Sequence, residues 1–255
     1  MKISIITVCK NAEDTIENTI LSVINQTSNN IEFIIIDGVS TDNTISIIEK
    51  YRNKISYFIS EQDTGIYNAM NKGIKAASGD ILYFLNANDY IFDKEVISRV
   101  VQKFEKTNND IVFGSLVTID GENINIEKNV GNIDKIYFMN GDNVCHQCIF
   151  YKSKLFKDFG LYDEGLKIAA DYDFNLKTLI QNKKKYLIHN EPVVKFTLGG
   201  FSTSEKYRKL LLEEREIVKN RYFSSSELKL NKFINKNFRS LVKNSYVRKV
   251  LSFFI

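Results

Sequence analysis

The chain has 255 residues and carries 35 Lys and Arg against 31 Asp and Glu, a formal charge of +4, a length that suits one large α/β domain or one domain with a helical tail. Hydrophobic residues make up 44%, with 18 Phe and 13 Tyr, enough to bury a core and to exclude disorder as the main state. A single Pro and 12 Gly exclude collagen-like and Pro-rich architectures.

Ile3-Ser4-Ile5-Ile6-Thr7-Val8 is a β-branched run that predicts a buried strand. A helix follows, with Ile16, Ile20, Val23 and Ile24 on one face and Asp14 or Thr15 near its start. Ile31–Ile36 predicts a second buried strand running into Asp37-Gly38. Ser40-Thr41-Asp42-Asn43 then offers N-cap chemistry to a helix carrying Ile45, Ile48 and Tyr51. Ile55–Ser60 reads as a third strand, Ile66–Ala77 as a helix and Asp80–Leu85 as a fourth strand. Strand and helix alternating through short loops imply a parallel sheet with right-handed crossovers, covered by helices.

After Asn86-Ala87-Asn88-Asp89 the pattern changes. A helix over Val96–Phe104 leads to strands over Asp110–Thr118 and Asn123–Lys128, joined by a turn at Asp120-Gly121. Cys148–Tyr151 reads as a strand and Leu166–Gln181 contains a helix. Tyr186–Ile188 and Val193–Phe196 read as two short strands flanking Pro192. Glu205–Arg221 is a charge-rich helix, and Lys229–Phe253 an amphipathic one with Phe233, Phe238, Leu241, Val242, Val250 and Phe254 among basic residues.

Ligands of open parallel sheets bind beyond the carboxyl ends of the strands. Those positions hold Thr7, Lys10 and Asn11, then Asp37, then Glu61 and Asp63, then Asn86, Asn88 and Asp89. No GxGxxG follows the first strand, and no P-loop, HExxH or GxSxG is present. What remains is a rim of carboxylates and amides suited to nucleoside hydroxyls, bases and a hard divalent cation, which is commonly held by one or two carboxylates plus substrate phosphates.

At this point the residues resemble a known family. Ser4–Asn11, Asp37–Thr44, Ser60–Gly73, Gly79-Asp80 with Phe84–Asp89, and Ala169–Asp173 follow one another as in family 2 inverting glycosyltransferases of the GT-A fold, of the type that builds bacterial exopolysaccharide, capsule and O-antigen. His146-Gln147 and Gly199-Gly200-Phe201-Ser202 fit the later part of that pattern. The resemblance implies a Rossmann-like, mostly parallel central sheet flanked by helices. It spans residues 1–204, with 1–104 a nucleotide-sugar-binding half and 105–204 an acceptor-side half. Residues 205–255 form a basic helical C-terminal extension.

Carried over residue by residue, the resemblance implies that Thr7, Asn11, Asp37 and Asp63 cradle the nucleoside of a nucleotide-diphosphosugar, with Lys72 near the diphosphate and Asn88 beside it. Asp89 would hold Mg²⁺ or Mn²⁺, and Asp171 would be the general base. His146 and Gln147 would face the acceptor or a phosphate. The roles agree with the chemistry. Displacement at an anomeric carbon needs the acceptor hydroxyl deprotonated by a positioned carboxylate. The departing diphosphate needs its charge neutralised. The metal motif departs from the family pattern, since Asn88 stands where many relatives have a second carboxylate. Asp173, like Asp171, also suits the start of a helix and is read as structural.

The implied reaction transfers a sugar from a UDP- or related nucleotide-sugar to a lipid-linked or oligosaccharide acceptor. Two other readings stay open on the residues alone: a sugar nucleotidyltransferase, and a non-catalytic relative that binds polysaccharide or a partner enzyme. A homodimer is also left open.

The charge divides near residue 204. Residues 205–255 hold 13 basic and 5 acidic side chains, and residues 1–204 hold 22 and 26. The tail is therefore the only basic region. It is read either as a helix packed on the domain or as an anchor to anionic lipid. Nucleic acid is not an expected partner, because no reading motif accompanies the charge. Cys9, Cys145 and Cys148 are too few for a disulfide scaffold and point to a reducing compartment. Cys145-His146-Gln147-Cys148 has CxxC spacing but lacks the second ligand pair that zinc requires. With no secretory signal and no stretch of 18 apolar residues, the expected location is the cytoplasm, at the inner face of the membrane if the tail is an anchor.

Overall fold

All seven residues of Ile3–Cys9 are buried and form β1, as a strand covered by helices on both faces should be. The computed structural model describes residues 1–120, 123–127, 133–197 and 205–237. In it, β1 lies between β2 (Ile31–Asp37) and β4 (Ile81–Phe84), parallel to both, and β3 (Tyr57–Ser60) continues the parallel set on β2. The crossovers are α1 (Ile16–Ile24), α2 (Thr44–Lys50) and α3 (Ile66–Ala76). Helix α3 lies close on β1, because Gly73 faces Ile6 and a Cβ there would run into the Ile6 side chain. The chain leaves β1 toward β2, whereas β4 lies on the other side of β1. That makes the β1/β4 crevice the topological switch point, where ligands of such sheets bind.

Beyond β4 the sheet becomes mixed. The further elements are β5 (Tyr90–Ile91), α4 (Val96–Lys106), β6 (Ile111–Asp120), β7 (Asn123–Glu127), α5 (Lys135–Met139), β8 (Ile149–Lys152), α6 (Lys154–Phe159), α7 (Ala170–Asn175) and β9 (Tyr186–Thr197). The strand order is β3-β2-β1-β4-β8-β6-β9-β5, with β7 paired to β6. Strand β8 runs antiparallel to β4 and β6, β9 parallel to β6, and β5 antiparallel to β9.

One strand differs from the sequence reading, and three short elements have no counterpart in it. Tyr186–Thr197 is one strand rather than two, and Pro192 is absorbed at an irregularity where the register slips between Phe113 and Ser115. Proline donates no ladder hydrogen bond and so favours such a site. Gly114 makes the site possible, since a Cβ there would collide with Val193. The helix expected within Leu166–Gln181 runs from Ala170 and widens to a π-type segment over Leu176–Gln181. Strand β5, α5 and α6 carried too short a pattern to be read. The expected turn at Asp120-Gly121, the Gly199–Ser202 motif, Lys128 and the tail beyond Asn237 lie at least partly outside the described residues.

The two halves share an aromatic core. Phe156 stacks on Phe174 with centroids 4.2 Å apart, and Tyr162 meets both Phe84 at the end of β4 and Phe174 edge-on. Each such pair adds about 0.5–1.5 kcal/mol beyond its buried area, and together they fix the 156–174 segment against β4. The C-terminal helices α8 (Glu205–Tyr222) and α9 (Ser225–Asn237) pack on this half and bury Val218, Phe223 and Ile234. Among the described residues no helix is long and apolar enough to cross a membrane.

Candidate active site

Polar residues follow closely on the parallel strands, and the loops there brace one another. Asn11, after β1, adopts a left-handed backbone (φ 49°) and accepts Thr41 N–H at 2.9 Å, while its own N–H donates to Ser40 Oγ at 2.8 Å. Val39 is also left-handed (φ 60°), a conformation that a β-branched residue keeps only where its surroundings impose it. The constraint comes from Asp37, which is 0% exposed. Its carboxylate accepts Ser40 N–H at 2.9 Å, the Ser40 hydroxyl, Ser60 Oγ at 2.6 Å and Cys9 Sγ at 3.5 Å. Asp37 therefore shapes the loop, both of its carboxylate oxygens being engaged by these bonds. Burial, then the Asp37 charge, pushes the Cys9 thiol well above its usual range.

Asp63 lies against Gly38, where a Cβ would strike its Oδ2 and would sit 3.5 Å from the Lys10 side chain. The rim loops after β1, β2 and β3 thus converge on one point. Lys72, in α3, donates to Gln62 O at 2.7 Å and pairs with Glu61 at 3.0 Å, so its ammonium stays beside the same loop. Thr7 Oγ1 is buried with no hydrogen-bond partner among the described residues.

A second cluster forms where β4 meets the turn before β8. Asn86 Nδ2 lies 2.9 Å from His146 Nε2, and Gln147 Nε2 donates to Asp89 Oδ2 at 2.9 Å. Asp89 is 0% exposed, and Asn88 is half-buried between it and Asn86. Burial pushes the His146 imidazole below its usual range, the Asp171 charge pulling the other way, so the ring is neutral at pH 7. Cys145 Sγ donates to Gln147 Oε1 at 2.6 Å, and Cys148 is buried.

Asp171 sits in the first turn of α7, 9% exposed. Its Oδ2 accepts Asn143 Nδ2 at 2.8 Å. The Tyr67 hydroxyl, from α3, lies 3.0 Å from its Oδ1 and 2.8 Å from Ile168 O. Asn143 is held in turn by Asn175, and Asn175 by the Tyr151 hydroxyl. Burial, then the Asp171 charge, drives the Tyr67 phenol well above its usual range, so it stays a neutral donor. Asp173, two residues on, turns away to Arg221 at 3.0 Å and the Tyr222 hydroxyl at 3.2 Å. Sequence reasoning gave Tyr67 and Asn143 no role. The available signal was Tyr67-Asn68 and Asn71 at the opening of α3: Asn71 holds Tyr162 N and O, and with Asn68 it holds Glu164.

The expected residues therefore fall into a rim after β1–β3 (Thr7, Asn11, Asp37, Asp63, Lys72) and a second cluster (Asn86, Asn88, Asp89, His146, Gln147, Asp171), bridged by α3. A hard cation fits the donor chemistry here, because Asp89 supplies one carboxylate and the buried Asn86 Oδ1 has no partner among the described residues. No group of three or more His, Cys, Asp or Glu converges among the described residues. The remaining ligands would thus come from substrate phosphates, the usual arrangement for Mg²⁺.

Comparison with known proteins agrees with this architecture. The family model described as Glycosyl transferase family 2 matches residues 4–160. A "PGL/p-HBAD biosynthesis glycosyltransferase" of Mycobacterium bovis (strain BCG / Pasteur 1173P2) is 31% identical over 161 residues, 61% of each chain. The chain thus spans less than two thirds of that relative's length. Poly(ribitol-phosphate) beta-N-acetylglucosaminyltransferase TarS of Staphylococcus aureus (strain Mu50 / ATCC 700699) is 27% identical over 188 residues, 71% of this chain and 33% of TarS. The structure of S. aureus TarS 1–349 with UDP-GlcNAc superposes with a TM-score of 0.72 at 21% identity, over 96% of this chain and 75% of that one. The mannosyltransferase PcManGT of Pyrobaculum calidifontis, solved with GDP-Man and Mn²⁺, shares the fold at a TM-score of 0.59 and 11% identity, over 97% and 82%. Matched over more than half its length by the family model, with its rim and second cluster at the switch point of a GT-A sheet, the chain belongs to glycosyl transferase family 2.

Proposed function

We propose that the protein is an inverting glycosyltransferase that moves a sugar from a nucleotide-diphosphosugar, a UDP-sugar, to a lipid-linked or oligosaccharide acceptor in cell-surface polysaccharide synthesis. The observation that carries this reading is the setting of Asp171. It is a nearly buried carboxylate with each oxygen held by a neutral donor, and the helix that supplies Tyr67 also carries Lys72 on the donor side. A carboxylate fixed in this way suits a general base, which needs geometry before anything else.

In the proposed step, Asp171 accepts the proton of the acceptor hydroxyl. The hydroxyl oxygen bonds to the anomeric carbon on the face opposite the diphosphate, and the carbon–oxygen bond to the diphosphate breaks with its electron pair. Asn143 and Tyr67 keep the carboxylate aimed. Asn11 and Asp63 line the nucleoside, while Asp37 acts through the loop it holds. Lys72 approaches the diphosphate and exchanges Glu61 and Gln62 for it. Asp89 with Asn86 and Asn88 would hold Mg²⁺ or Mn²⁺, which supplies positive charge against the leaving diphosphate. The TarS complex with UDP-GlcNAc supports the choice of a uridine donor, and the Mn²⁺ in the PcManGT structure supports the choice of cation. The basic tail fits a peripheral, cytoplasmic position against anionic lipid.

Incubating the protein with a panel of UDP-sugars and Mn²⁺ tests the reading. The expected result is slow release of UDP, greatly reduced in Asp89→Asn. Turnover that depends on pyrophosphate, or Asp89→Asn activity equal to wild type, would sink the assigned roles.

A further inference from the structure

Helix α8 lies past the stretch that the family model matches, and its face toward the domain is largely polar. Leu211, Glu214, Arg215, Val218, Arg221 and Tyr222 recur at helical spacing along it. Glu214 is 5% exposed, although no cation is paired with it among the described residues. Its carboxylate instead accepts three successive backbone N–H groups. Lys167 N donates to Oε1 at 2.8 Å, and Ile168 N and Ala169 N donate to Oε2 at 2.9 and 3.0 Å.

This contact ends two residues before Asp171. The Ile168 peptide is gripped from both sides, its N–H by Glu214 and its carbonyl by the Tyr67 hydroxyl, which also reaches Asp171. The neighbouring bonds of α8 serve the same segment. Arg221 Nη1 bridges Asp163 at 2.8 Å and Asp173 at 3.0 Å, one on each side of the 167–169 turn. Arg215 Nη1 donates to Gly141 O at 2.6 Å, in the loop that carries Asn143 to Asp171 Oδ2. The helix thus holds the 167–169 backbone and the loop that carries Asn143, rather than the carboxylate itself.

We infer that Glu214 is a positioning residue for Asp171, acting through the backbone of residues 167–169, so that the C-terminal helix is part of the catalytic apparatus. This rests on the reading of Asp171 as the base. A buried carboxylate gathering three adjacent N–H groups fixes their direction, and base catalysis depends steeply on direction. A displacement of about 1 Å can cost about 100-fold in rate. A glutamine keeps only one accepting oxygen and turns its amide N–H₂ toward a backbone donor, so Glu214→Gln should fall between wild type and Glu214→Ala.

The test uses the full chain with UDP-GlcNAc and Mn²⁺ as probe, comparing Glu214→Gln, Glu214→Ala, Asp171→Asn and, as control, Leu212→Ala, whose side chain is 57% exposed on the same helix. Three quantities are read: UDP affinity by calorimetry, the rate of UDP release, and amide hydrogen exchange over residues 162–175. The inference expects release to drop by about 100-fold in Glu214→Ala and less in Glu214→Gln. UDP affinity should stay within about twofold, and exchange should rise over 166–173 but not in the donor half. Leu212→Ala should match wild type throughout. A Glu214→Ala protein at wild-type rate beside an inactive Asp171→Asn would overturn the inference alone. Asp171→Asn at wild-type rate would overturn the base reading instead. If rate and UDP affinity fall together in Glu214→Gln, the role is structural support of the whole fold and the inference fails. Should UDP-GlcNAc prove a poor donor, exchange decides, since unchanged protection of 166–173 in Glu214→Ala overturns the inference without any turnover.

Discussion

On the donor side of the site each loop leans on its neighbour in the sheet. Asn11 takes Thr41 across 30 residues of sequence, and Asp37 takes Ser60 across 23. On the base side the contacts come from far away: Tyr67 reaches Asp171 across 104 residues, Asn68 reaches Glu164 across 96, and Glu214 reaches Ile168 across 46. The donor rim can form as each strand–helix–strand unit closes. The Asp171 carboxylate is held by contacts from α3 and the 141–147 loop, and its segment by α8, so its setting is complete only when all three have docked. If Asp171 is the base and the rim after β1–β3 holds the donor, as proposed, then binding and chemistry rest on separate structural supports and should be separable by mutation.

The largest separation is expected from Asp171→Asn. Its kcat should fall by about 10²–10⁴-fold, the usual contribution of a general base, with UDP affinity by calorimetry unchanged. Tyr67→Phe comes next. It removes a hydrogen bond to a charged group, worth about 1.5–3 kcal/mol, so kcat should drop by roughly 10–100-fold while the KM for the donor holds. A Tyr67→Phe enzyme with intact kcat would mean that Asn143 alone orients the carboxylate. Gly38→Ala should show the opposite pattern. Its methyl group meets Asp63, and overpacking of about 1–3 kcal/mol should weaken UDP binding by about tenfold or more while kcat at saturating donor is retained.

Acid should separate the two sides more gently. Burial holds the His146 pKa below its ordinary 6.5, so below pH 6.5 the unfolded chain binds this proton more readily than the folded one. The stability that His146 contributes is complete above pH 6.5 and is lost progressively beneath it. Glu32 lies at the opposite, amino end of the parallel strands, near the start of β2. Burial works against its charge, but hydrogen bonds from Lys2, Ser4 and Ser78 outweigh that and hold its pKa at about 2. Its contribution is complete above the unfolded value of 4.5 and is lost only as pH falls from there toward 2. Peptide-resolved hydrogen exchange on acidification should therefore show residues 143–148 loosening first and the Lys2–Glu32–Ser78 end later. The reverse order would contradict these assignments.

The same contrast explains what could be read in advance. The four parallel strands announce themselves as short apolar runs with polar residues close behind, so β1–β4 and the polar rim after them are visible in the order of residues. Strand β9 was read as two pieces because Pro192 interrupts it, and only the pairing with Gly114 and Ser115 shows how the sheet absorbs the proline. The helix within Leu166–Gln181 is legible, but its start at Ala170 is not, and neither is the capture of the 167–169 N–H groups by Glu214. No local pattern encodes a partner 46 residues downstream. Helix α8 reads as a solvated, charge-rich helix because its docking face works through Glu214, Arg215 and Arg221, with Val218 its only fully buried apolar side chain. The net charge of +8 in residues 205–255 therefore conceals a set of specific contacts to the base segment.

The central claim, that Asp171 drives a direct displacement, is tested most directly by the anomer first formed. Proton NMR of the N-acetylglucosamine released from α-linked UDP-GlcNAc, recorded before mutarotation, should show the β anomer from the wild-type protein and almost no release from Asp171→Asn. An initial α anomer would contradict the account.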